Sequence, residues 1–298
     1  MSVKTVATVP AAADEVEDSS MSLIDHLTEL RNRIVWSLLA FIVAMLTCWF
    51  VWKPIYDVLT IPLCDALLAR GQECELVFLS VQEGFFLAFQ ISMIAGLVVS
   101  FPVISYQMWR FVAPGLYRNE KHAFLPFLLA SPAMFFLGAF FAYYVVTPMA
   151  FSFFLAFQDP GTLAVEGEVV SEASAAMVFQ GSAQSYLSLT MSFIVAFGLC
   201  FQLPVLLTLM GRAGIISSHS LVRTRKYAIV AILLLAAVAT PPDVMSQIIL
   251  FATVYPLYEA SIFIMRRNER RVEARMRAEG LLRPDETLYG DDEPEEKA

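Results

Sequence analysis

Histidine is scarce in this chain. There are three among 298 residues, His26, His122 and His219, and none lies in an apolar run. A serine–histidine hydrolase working inside a membrane therefore has no base. The H-E-x-x-H zinc pair, the G-x-x-x-x-G-K-[ST] phosphate loop, the G-x-G-x-x-G turn and the C-x-x-C pair are also missing. With no nucleotide site in view, any work must draw on another energy source or on a partner. Charge is scarce too. Asp, Glu, Lys and Arg make up 16% of the residues, against about 25% in an average soluble domain. Hydrophobic residues make up 58% and mean hydropathy is +0.64. The chain reads as an all-α polytopic membrane protein. No internal repeat is visible, which takes support from an inverted-repeat transporter.

The net charge of -8 is unevenly placed. Much of the acid lies in two tails, Asp14, Glu15, Glu17 and Asp18 near the start and Asp285 to Glu296 near the end. Residues 1–20 read as a disordered tail without the apolar core of a signal peptide, and Met21 serves equally as a start. Residues 21–265 form the membrane core. Residues 266–298 form a charged tail.

The apolar runs give six spans. Ile34 to Trp52 is 19 residues long, against roughly 20 needed to cross a bilayer. Phe85 to Val112, Ala123 to Thr147 and Tyr186 to Met210 follow. Tyr227 to Ala239 supplies only 13 residues, so the fifth span is short. Val244 to Met265 is the sixth, also taken as short. Pro102, Pro126, Pro132 and Pro204 fall within spans, which predicts bent helices whose freed carbonyls find partners in neighbouring helices. Lys53 to Glu83 reads as short helices packed over the membrane rather than a free loop.

Orientation follows from Lys and Arg. They crowd the segment before span one, the links Ala113–His122 and Gly211–Lys226, and the stretch after Met265. The Asp159–Ser185 loop has none. Both termini are therefore expected in the cytoplasm. Cys64 and Cys74 then share the first outer loop, in an oxidising compartment, and are candidates for a disulfide. Cys48 and Cys200 lie within spans.

The polar groups left near the membrane are few. Ser22 to Arg33, SLIDHLTELRNR, carries Leu23, Ile24, Leu27 and Leu30 on one helical face, which Ile34 continues. It predicts a short amphipathic helix on the membrane surface, holding Glu29 at the entrance to span one. Glu120 lies in the second link. Two carboxylates on one side of the membrane suit a ligand with adjacent arginines, because a guanidinium can engage a carboxylate through two hydrogen bonds. The ordinary alternatives are Arg33 beside Glu29, and Arg118 or Lys121 beside Glu120. Gln202 sits within span four as helix-to-helix glue or as a partner contact. Asp243 follows Pro241-Pro242 as a helix cap or a functional acid. Glu259 is an intramembrane acid, with Arg266 or Arg267 as its candidate partner.

The order HLTELRNR, SFPVISYQMWRFVAPGLYRNEK, FGLCFQLPV and TPPDVMSQ resembles TatC, the six-span core subunit of the twin-arginine translocase. The likeness covers about Leu23 to Met265. It implies a cup of bent helices in the bacterial inner membrane. It also implies a cytoplasmic face that receives the paired arginines of a signal peptide on folded cargo. Glu29 and Glu120 match the family's arginine-receiving carboxylates, and Arg31, Phe111, Leu116 and Tyr117 fall at neighbouring signature positions. Pro62 matches an outer cap, and Asp243 another signature site. The resemblance further implies TatA- and TatB-type single-span partners, several copies of the chain per complex, contact with lipid and drive by the proton-motive force. It implies no catalysis, cofactor, metal or nucleic acid. Gln202 departs from it, since many members carry glutamate there. The rival reading is a proton-coupled transporter using Glu259 and Asp243.

Overall fold

The computed structural model describes residues 23–112, 121–156, 181–239 and 244–283. Leu116, Tyr117, Glu120 and Asp243, the two tails beyond those limits and most of the Asp159–Ser185 loop lie outside the described residues. Among the described residues, five helical stretches are long and apolar enough to cross a membrane: Leu27–Phe50, Glu83–Phe111, Phe127–Ala156, Ala183–Arg212 and Val244–Ala278.

The first element corrects the sequence reading. Helix α1 runs unbroken over Leu23–Phe50, so the expected surface helix and the first span are one element. No glycine or proline lies between those residues, and nothing stops the helix from propagating through Arg33. Only 6% of its apolar window is buried within the chain. It leans on α3, Glu83–Val112, and on little else. The approach is close at Gly96, where a Cβ would stand 2.7 Å from the Met45 Cα. Small residues let membrane helices meet backbone to backbone.

Between these two helices lies α2, Trp52–Leu68, a single 17-residue helix with Pro62 inside it. Proline has no N–H for the carbonyl four residues back, which here belongs to Val58. The Tyr143 hydroxyl donates to that carbonyl at 2.5 Å. The Tyr186 hydroxyl donates to the adjacent Leu59 carbonyl at 3.0 Å. A proline that would weaken a lone helix thus becomes a place where α2 is tied down. Below it, Leu59, Leu63, Leu67, Leu87, Ile91 and Leu187 form one apolar cluster. Cys64 and Cys74 are joined as a disulfide. A two-residue parallel ladder pairs β1, Leu76–Val77, with β2, Gly181–Ser182, and the sequence reading had no strand there.

The central helices are interrupted. Helix α4, Lys121–Phe141, passes through a π turn over Ala142–Val146 into α5, Thr147–Ala156. The widened turn sits just before Pro148, whose nitrogen carries no hydrogen. Helix α6, Ala183–Cys200, gives way at Phe201-Gln202 to α7, Leu203–Arg212. This fourth stretch is the most enclosed, with 56% of its apolar window buried. Gly138 of α4 lies against the Phe197 carbonyl of α6, which a Cβ would meet at 2.6 Å.

Helix α8, Ser218–Arg223, leads into α9, Arg225–Ala239. At 15 residues α9 extends about 22 Å, less than the roughly 30 Å hydrocarbon core. Helix α10, Val244–Ala278, is 35 residues long. The sixth span is therefore not a short helix. Its apolar part ends near Met265, and the same helix continues into the arginine-rich segment that the sequence reading assigned to a tail. That segment contains strong helix formers such as Glu273, Ala274 and Met276 and no glycine or proline before Gly280.

Candidate functional site

Glu29 lies on α1 one helical turn before Arg33. The Arg33 Nη2 donates to Glu29 Oε1 at 2.8 Å. The spacing of four places both on one face of the helix. Arg33 also reaches α3, where its Nη1 donates to Gln107 Oε1 at 3.2 Å. The Arg33 and Glu29 side chains are 19% and 21% exposed, shielded from bulk water yet open to a ligand. The Arg33 Nε is buried with no partner among the described residues. The ordinary alternative read for Glu29 is thus present, joined by an α3 residue that sequence reasoning missed. Gln107 lies 74 positions from Arg33, and periodicity carries no information at that range. Arg31 is exposed, and its Nη2 stands 3.5 Å from the neighbouring Asn32 Oδ1. Phe111 is half-buried near the end of α3.

From this polar cluster an apolar groove descends between α1 and α3. It has a volume of about 750 Å³. Trp36, Ala40, Ala44 and Thr47 line it from α1, and Val99 and Ser100 from α3, with Gln107 also in its wall. Trp36 is two helical turns from Glu29. A carboxylate and a lipid-facing apolar channel therefore adjoin on one pair of helices.

The other predicted polar residues are spent elsewhere. Gln202 is 7% exposed, at the break between α6 and α7. It accepts from the Ser131 hydroxyl at 2.7 Å and donates to the Ser131 carbonyl at 3.0 Å. Both ends of its amide serve α4, which is the glue reading. Glu259 accepts from Arg225 Nη2 at 2.7 Å and from the Tyr255 hydroxyl at 3.0 Å. Its partner is Arg225 at the start of α9, not Arg266 or Arg267. Both of those arginines follow Glu259 on its own helix and are exposed. Arg225 reaches it across the α9–α10 contact. Pro62 is buried in α2. Among the described residues no group of three His, Cys, Asp or Glu side chains is placed to hold a metal.

A family model described as Sec-independent protein translocase protein (TatC) matches residues 25–252. The chain belongs to the TatC family. It is 40% identical over 279 residues to the Sec-independent protein translocase protein TatC of Magnetococcus marinus, covering 93% of this chain and 96% of that one. It is 36% identical over 251 residues to the TatC of Escherichia coli K12, covering 84% and 90%. A crystal structure of the twin arginine translocase receptor TatC matches with a TM-score of 0.67 at 35% identity, over 81% of this chain and 98% of that chain.

Two further carboxylates bind this TatC chain together, and the sequence reading passed over both. Glu83 is 8% exposed. It accepts from the backbone N–H of Leu79 at 2.5 Å and Ser80 at 3.2 Å, from the Ser182 hydroxyl at 2.9 Å and from the Gln184 N–H at 3.3 Å. It folds the Leu79–Ser80 turn back against the start of α3 and holds β2 and the start of α6. A signal was available: Ser80-Val-Gln-Glu83 is the S-x-x-E spacing of a capping box. Glu269 of α10 accepts from the Ser218 N–H at 2.7 Å and from the Ser218 hydroxyl. Those residues stand 51 positions apart, and no local pattern announces the pairing.

Proposed function

We propose that this chain is the receptor and core subunit of a twin-arginine translocase, binding the paired arginines of signal peptides on folded cargo and organising their export. The observation that carries this reading is Glu29, a shielded carboxylate with a guanidinium already in it, at the head of the α1–α3 groove. A site that holds one arginine side chain has the chemistry to hold another. Glu120, placed by sequence in the link after α3, is the second acceptor. Arg31, close to Glu29 in sequence, and Phe111, Leu116 and Tyr117, before Glu120 in sequence, are further contacts for the signal. The apolar part of the signal then follows the groove into the membrane.

The chain crosses the inner membrane six times, with α9 as the short fifth crossing and both termini in the cytoplasm. TatA- and TatB-type single-span subunits assemble with it, and several copies share a complex. The proton-motive force supplies the energy, and the chain performs no catalysis. Asp243, which follows α9 in sequence, is a further functional position. A proton-coupled carrier would use Glu259 as an acid without a fixed partner. Its ties to Arg225 and Tyr255 favour a structural role instead.

Replacing Glu29 and Glu120 together by alanine tests the reading. Crosslinking of a twin-arginine signal peptide to the receptor is expected to disappear, with the protein still present in the membrane at normal amount. Crosslinking at the unaltered yield would remove the receptor assignment.

A further inference from the structure

We propose that Arg33 is a built-in placeholder: it fills Glu29 while the receptor is empty and is exchanged for an arginine of the arriving signal. The proposal rests on the reading that Glu29 receives a signal arginine. Three observations carry it. Arg33 engages Glu29 through Nη2 and Oε1 alone, at 2.8 Å. An incoming guanidinium reaches its strongest geometry by engaging both carboxylate oxygens, and Arg33 stands on one of them. Arg33 also has a second hold, the Gln107 Oε1 at 3.2 Å, on a helix other than the one that carries Glu29. When it leaves the carboxylate it keeps a polar partner on α3. Finally, its buried Nε has no partner among the described residues, so its donor set is incomplete and its hold on Glu29 is correspondingly easier to break.

Exchange sets how tightly a ligand must bind. A bare carboxylate at the membrane surface would attract any cation. A carboxylate already neutralised by Arg33 admits only a ligand that binds better than Arg33 does. A signal guanidinium can take both oxygens. A lysine ammonium is a compact point charge that cannot match the planar fork, so it gains less by displacing Arg33. The placeholder therefore lowers both affinities by one common factor, and the preference for arginine rests on the two-oxygen geometry of its guanidinium. The competing account is that Arg33 is an ordinary helix pair that braces Glu29 in position. The two differ in sign. Removing a competitor strengthens peptide binding, whereas removing a brace weakens it.

The experiment uses the full chain in lipid nanodiscs and a synthetic signal peptide in twin-arginine and twin-lysine versions. Dissociation constants are measured for the unaltered chain, Arg33→Gln, Arg33→Lys and Glu29→Ala. An i,i+4 ion pair of ordinary strength, with some added weight from its shielding, predicts that Arg33→Gln tightens twin-arginine binding about two- to fivefold. Twin-lysine binding should tighten by a similar factor, because both peptides displace the same competitor, and Arg33→Lys should fall between the two chains. The reverse order, or equal affinities in all three, overturns the placeholder. Glu29→Ala keeps the two ideas apart. If it binds as the unaltered chain does, the receptor reading itself fails. If it loses binding while Arg33→Gln gains none, only the exchange fails.

Discussion

Gln202 and Ser131 exchange two hydrogen bonds across the contact between α4 and the α6–α7 break. An ionised carboxylate at position 202 would accept from the Ser131 hydroxyl but could not donate to its carbonyl, so the neutral amide suits this pairing better than an ionised acid does. Gln202→Leu removes both bonds and leaves a buried hydroxyl without its acceptor. It should lower stability by about 1–3 kcal/mol, read as a lower midpoint of thermal unfolding in detergent. An unchanged midpoint would mean that Ser131 finds another partner at no cost. The same reasoning shows how far single residues were legible. The Glu29–Arg33 pair follows from a spacing of four. The partners of Arg33 on α3, of Gln202 on α4 and of Glu259 on α9 do not. They are set by which helices pack together, and sequence spacing holds no record of that.

At the scale of elements, the apolar runs announced the helices because a bilayer leaves the backbone no other way to satisfy its own polar groups. The joints between helices were harder to read. Pro204 marked the α6–α7 break, but the continuity of α1 through Arg33 and of α10 through Arg277 came from the absence of any breaker in a charged segment. Gly96 gives the element-level test. Helix α1 depends on α3 for its place, and at Gly96 the obstacle to a larger side chain is Met45 backbone rather than a movable side chain. Gly96→Val should push the two helices apart at a cost of about 1–3 kcal/mol. The same displacement would widen the groove and move Arg33 away from Gln107. Crosslinking between cysteines placed on facing positions of α1 and α3 measures it, and an unchanged yield counts against the close approach. A second test concerns α2. The Cys64–Cys74 bond closes a loop ten residues in sequence separation, and Arg70 inside that loop donates to the Ser152 carbonyl of α5 at 2.9 Å. Replacing both cysteines by serine should cost about 2–3 kcal/mol by loop-closure entropy. It should also open the segment between them to protease before the rest of the chain.

For the whole molecule, the question is which way the chain faces, and its answer rests on charge placement together with helix continuity. Arg266, Arg267, Arg270, Arg271, Arg275 and Arg277 all ride on α10. A helix that emerges from the bilayer with that many arginines holds its end on the side where positive charge is retained. The segment around Glu29 and Arg31 must lie on the same side if the number of crossings is even. That requires the 15-residue α9 to count as a crossing despite its length, through local thinning of the bilayer or packing behind its neighbours. Single cysteines at positions 31, 75 and 271, in a chain whose native cysteines are replaced, decide the matter in intact cells. A membrane-impermeant maleimide should label position 75 directly and positions 31 and 271 only after the membrane is opened. If positions 31 and 271 fall on opposite sides, α9 does not cross. Glu29 and the arginine-rich end of α10 would then no longer share a compartment, and a receptor face built from α1 and the link after α3 would have to do without it.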